Sequence, residues 1–97
     1  MENQLGPDWM EVAGRTAAIL EEQAQREVGP DHALYGHVLR AVVKSEANDA
    51  VLFEDLSHPQ FVLVHLTWSG TQAAGYPRFV SFSSYEDFIA ASQRTGE

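Results

Sequence analysis

Four histidines, His32, His37, His58 and His65, are the residues of this 97-residue chain best suited to chemistry, because an imidazole titrates near neutral pH and ligates transition metals. Their spacing does not make a metal site. No pair stands at the i, i+4 step of a helical zinc motif, and cysteine is absent, so a thiolate site and a disulfide framework are both excluded. No metal and no cofactor are expected. General acid-base work would need a carboxylate to orient one imidazole, and His37 or His65 with Glu46 or Asp49 would serve. His65 fits equally well as a hydrogen-bonded member of a half-exposed sheet face. Ser69 before Gly70 lacks the Gly-x-Ser-x-Gly elbow of an exposed nucleophile, and Gly70 and Gly75 lack the Lys-Ser/Thr of a phosphate cradle. No catalytic residue is assigned, and the chain leans away from an enzyme.

Charge narrows the partners. Fourteen acids against six bases give a formal charge of −8, and Arg15, Arg26, Arg40, Lys44, Arg78 and Arg94 are scattered over different elements. Such a chain repels a phosphate backbone, so nucleic-acid binding is not expected. Between Ser45 and Pro77 stand Glu46, Asp49, Glu54 and Asp55 with no Lys or Arg, which suggests an acidic rim facing a basic protein. Trp68 at a strand end and Tyr76 before Pro77 are aromatic anchors of the kind interfaces use, and together with those four acids they form the expected partner-binding set. The competing site is a small ligand pocket at the sheet end, lined by His65, Trp68 and Ser69.

The elements that must position these residues are legible as periodicities. Asp8 with Glu11 resembles a capping box, and Trp9, Val12, Ala13, Thr16, Ile19, Leu20, Ala24 and Val28 recur at helical steps until Gly29-Pro30. Tyr35, Val38, Leu39, Val42 and Val43 make a second helical stripe, ended by Asn48-Asp49. Strands follow over 49–54 and 61–68, joined by a hairpin loop too short for a parallel crossover. A third strand spans 78–82, and Ser83 with Glu86 caps a last helix bearing Tyr85, Phe88, Ile89 and Ser92 inward. The expected fold is therefore α+β in the order ααβββα, a three-stranded antiparallel meander with its helices packed on one face. It fills a single domain, residues 1–97, with an ordered core over about 8–94. Val62, Val64, Leu66 and Trp68 should face the helices. Phe61 and Leu63 then lie on an uncovered face, which points to a homodimer there. The acidic, polar start and the lack of an apolar run of about 20 residues lead to the expectation of a soluble, unexported, cytoplasmic protein.

At Leu34-Tyr35-Gly36, Asp49-Ala50-Val51-Leu52-Phe53-Glu54, Val64-His65-Leu66-Thr67-Trp68-Ser69 and Tyr76-Pro77-Arg78 the chain resembles a group of small uncharacterised bacterial proteins, over about residues 9–90. That resemblance implies a bacterial, cytosolic setting and brings no activity, cofactor or site residue with it. In size, acidity and element order the chain is similar, more loosely, to bacterial immunity and antitoxin-type proteins, which neutralise a partner by covering its active surface. Two kinds of function are thus expected side by side: a non-enzymatic acidic interaction module, immunity-like or a regulatory inhibitor, and a small enzyme or ligand-binding domain. A structural homodimer is the third.

Overall fold

A computed structural model describes residues 8–68 and 76–95, which form a five-stranded sheet and two helices. The order is β1 (Trp9–Glu11), α1 (Gly14–Glu27), β2 (Leu39–Ser45), β3 (Ala50–Asp55), β4 (Gln60–His65), β5 (Arg78–Phe82) and α2 (Tyr85–Thr95). Strands are sheet neighbours in chain order, every pair antiparallel. The α+β class and the meander are as expected; the element count and the layering are not.

Two predicted helical stretches are partly strand. The first helix begins at Gly14 rather than near Asp8, because Trp9, Met10 and Glu11 pair with Ser45, Lys44 and Val43 as an edge strand. The second predicted helix does not form. Leu39, Val42 and Val43 of its stripe belong to β2, while Tyr35 and Val38 precede it, exposed; in β2 Ala41 lies opposite Phe53 and Val43 opposite Leu52, leaving Val42 as the extra residue of a β-bulge. A bulge switches which side chains face which way. Ala41 thus packs toward α1, while Val42 and Val43 pack with Phe88 of α2. An inserted residue of this kind turns strict alternation into steps of three and four, the signature of a helix. The Glu21 carboxylate of α1 accepts from the Ala41 amide beside the bulge at 2.9 Å.

The helices lie on opposite faces of the sheet, not on one. Ala17, Leu20, Ala24 and Val28 from α1 and its end pack with Val51, Phe53, Val62, Val64 and Leu66, so the predicted helix-facing set holds except for Trp68. On the other face Phe88 is fully buried among Val43, Leu52, Phe61, Leu63 and Phe82, with the Trp9 ring edge-on to it at 5.3 Å. Burying such a ring stabilises by about 2–3 kcal/mol, so α2 is a firm cover. Phe61 and Leu63 are therefore inner residues of a second core, and the bare apolar face invoked for a homodimer does not exist. The cap of α2 is Ser84, one residue later than expected: its Oγ accepts from the Asp87 amide at 3.1 Å, and Ser83 Oγ donates to the Asp87 carboxylate. Among the described residues no helix is long and apolar enough to cross a membrane.

Candidate functional site

The chemistry-bearing residues gather at the two ends of the sheet, and a buried carboxylate organises each. At one end lies Glu27, at the C-terminus of α1 and 3% exposed. Its Oε1 accepts from the Thr67 amide at 2.8 Å and its Oε2 from the Trp68 amide at 2.7 Å, with Gln23 Nε2 donating to Oε2 at 2.8 Å. These are charge-assisted bonds across 40 residues of chain, and they fix the exit from β4. Trp68 itself has φ 57°, in the left-handed region that costs a side-chain-bearing residue roughly 1–2 kcal/mol. Its side chain is not a cap on the core, since the residue is 48% exposed.

The same end carries more of the predicted partner-binding set. Leu66 N–H donates to the Asp49 carbonyl, and Ala50 pairs with His65, which pairs with Arg78. Asp49 and Glu46 are exposed in the β2–β3 turn, Glu46 paired with Lys44 at 3.1 Å. Tyr76 is 43% exposed, with the Arg78 guanidinium over its ring at 5.5 Å. His65 is exposed beside a shallow hollow of about 360 Å³ that also touches Asp8, Asn48 and Ser92. Trp68 does not line that hollow, and Ser69, the third residue of the expected pocket, lies outside the described residues.

At the far end of β3, about 17 Å away at the rise of a strand, stand Glu54 and Asp55. The four acids therefore do not form one rim. Glu54 is paired with Arg40 across the strands. The Asp55 side chain is 0% exposed and accepts four hydrogen bonds: Oδ1 from the Ser57 and His58 amides at 2.9 and 3.3 Å, Oδ2 from Gln60 Nε2 at 2.9 Å and His37 Nδ1 at 2.7 Å. It offers no surface to a partner. Burial pushes its carboxyl up, but the bonds from Gln60, His37 and Ser57 and the His37 charge outweigh burial and hold it below the ordinary aspartate value. His37 thus pairs with Asp55, not with Glu46 or Asp49, and the His58 ring lies against it at 4.4 Å.

His32 is structural. The Leu34 amide donates to its Nδ1 at 3.0 Å, so the proton sits on Nε2, which donates to the Pro77 carbonyl at 2.8 Å. Among the described residues no group of three or more His, Asp or Glu is placed to hold a metal ion. Of the two carboxylates that organise the ends, Glu27 was not singled out from the sequence, and Asp55 was assigned to a partner-facing rim rather than to a buried network. Glu27 had a signal: it stands in the inward stripe with Leu20, Ala24 and Val28, where an unpaired acid is unfavourable and must find donors. Compared with protein-family models, with curated proteins and with solved structures, the chain finds no match in any of the three.

Proposed function

We propose that this protein is a non-enzymatic interaction module that docks on another protein through the sheet end bearing Trp68. The observation that carries this reading is the half-exposed indole held in a left-handed backbone conformation by a buried carboxylate. Strained, over-determined residues of this kind cluster at ligand clamps, and tryptophan is the side chain most enriched among interface anchors. Asp49 and Glu46 add negative potential beside it, so the partner presents a basic surface with an apolar slot. An immunity-like or regulatory inhibitor works in this way, covering a partner with a rigid domain.

The test is affinity capture from the native organism with mass spectrometry, then binding measurements on the recovered protein. Trp68→Ala should weaken binding at least about thirtyfold while the domain stays folded. Asp49→Lys should slow association and flatten its salt dependence, and reversal at Glu54 should do neither. Unchanged affinity in Trp68→Ala sinks the proposal. A second reading, a small ligand-binding or enzymatic site, rests on the hollow at His65; a co-purifying metabolite that shifts the His65 ring resonances would favour it.

A further inference from the structure

We propose a small-molecule site, independent of the docking surface above, in the cleft between the last turns of α1 and the segment leading into β2, built to take a small hydroxylated apolar compound such as a phenol. The cleft measures about 380 Å³ and is walled by Ala24, Val28, Leu34, Val38 and Leu39, with Gln25, Tyr35 and His37 as its polar side chains. That size lies in the range of roughly 300–1,000 Å³ usual for small ligands, and a mostly apolar wall with few placed polar groups is the usual composition.

His37 supplies the specificity. An ionised Asp55 can only accept, so His37 Nδ1 carries a proton and donates it, and in the uncharged form of the ring this makes Nε2 a lone-pair acceptor. No buried side-chain nitrogen among the described residues lacks a partner, so this Nε2 opens outward, and the ring, 19% exposed, borders the cleft. Its orientation is set from two sides. Asp55 is immobilised by the Ser57 and His58 amides and by Gln60, and the His58 ring covers the imidazole at 4.4 Å. The backbone beneath is held by Val38 N–H donating to Ser57 Oγ at 2.9 Å and Leu56 N–H to the Val38 carbonyl at 2.7 Å. Gly36 at φ +83° makes the turn that brings the ring there. A fixed acceptor at the edge of an apolar wall selects a neutral donor on an apolar body, and the apolar lining disfavours an ion.

The probes are 4-methylphenol and toluene, titrated into the ¹⁵N-labelled protein at pH 8.5, where an ordinary imidazole is neutral. 4-Methylphenol should give saturable shifts at Ala24, Val28, Leu34 and Leu39 and move the His37 Nε2 resonance, with toluene binding about tenfold more weakly. His37→Asn keeps a donor for Asp55 and takes away the acceptor at the Nε2 position, which its own shorter amide oxygen does not reach, so it should erase the preference. Val38→Trp, at an exposed wall position, fills the cleft and should abolish binding while the amide spectrum of the sheet stays native. If His37→Asn does not fold, Val38→Trp and the wild-type Nε2 shift decide. Equal binding of the two probes, a preference that survives His37→Asn, shifts that map elsewhere, or no saturable shift would each overturn the proposal.

Discussion

Glu27 and Asp55 are both carboxylates buried to within a few per cent, and both hold backbone amides, yet they solve different problems. Asp55 reaches amides two and three residues ahead and closes the β3–β4 turn from within it. Glu27 reaches amides 40 and 41 residues ahead and ties a helix to the end of a strand. Their partners differ in kind as well. Two of the four donors to Asp55 are side chains that can exchange roles, His37 by changing tautomer and Gln60 by turning its amide over. The N–H groups of Thr67 and Trp68 can only donate. A buried acid served by obligate donors is the harder one to replace.

The largest effect is therefore expected at Glu27. Glu27→Gln preserves shape but sets an NH₂ against one of two N–H groups, so it should cost about 2–3 kcal/mol by urea denaturation and lose amide protection at Thr67 and Trp68. A cost below about 0.5 kcal/mol would erase the distinction. Asp55→Asn should cost less, about 1–2 kcal/mol, since His37 and Gln60 can reverse their bonds to the new amide. Its penalty should also depend on pH. The folded carboxyl titrates below its unfolded value, so the wild type holds this stabilisation fully above about pH 4 and loses it as pH falls through the lower folded value. The gap between wild type and Asp55→Asn should accordingly narrow as pH falls below about 4, read from urea midpoints. A gap that widens below about pH 4 would contradict the assigned bonds.

Backbone conformation offers a second handle on the two ends. Gly36 and Trp68 both have positive φ, but only one of them is glycine. A Cβ at Gly36 meets nothing within 4 Å, so Gly36→Ala should cost about 1 kcal/mol from conformation alone. At Trp68 the usual ranking should invert: Trp68→Gly should be about 1 kcal/mol more stable than Trp68→Ala, measured by thermal melts. The usual order there would mean that Glu27 does not hold Trp68 in the left-handed region.

What was legible in the chain follows the same division between near and distant partners. The β3–β4 hairpin could be read because its alternation is local and its turn is short, and β5 because its own alternation is local. The last helix was readable to within a residue of its cap, since Ser83 and Ser84 both precede an acidic first turn. β1 and β2 were read as helix for a physical reason: the bulge at Val42 reproduces helical spacing, and Trp9–Glu11 becomes a strand only because β2 exists to pair with it. The face assigned to α2 was equally hidden, because nothing between Tyr85 and Ser92 says on which side of the sheet a final helix returns. At the sites, Trp68, Tyr76, Asp49 and Glu46 do share one end. The grouping of Glu54 and Asp55 with them failed because sequence proximity to a turn does not tell which end of a strand that turn occupies.

The smallest effect concerns Glu54, whose contrast with its neighbour isolates burial from charge. Consecutive strand residues point to opposite faces, so Glu54 and Asp55 leave one backbone segment in opposite directions. Asp55 goes into the closed network with His37, whereas Glu54 meets Arg40, whose side chain is 63% exposed, in an ion pair screened by water. Exposed pairs of this sort contribute between nothing and 1 kcal/mol, because immobilising two long side chains offsets most of the attraction. Glu54→Gln should shift stability by no more than about 0.5 kcal/mol, and 0.5 M salt should shrink even that difference. Should Glu54→Gln prove as costly as Asp55→Asn, carboxylate charge in general would be holding this end of the sheet, and the special standing given to the buried pair of Asp55 and His37 would fall with it.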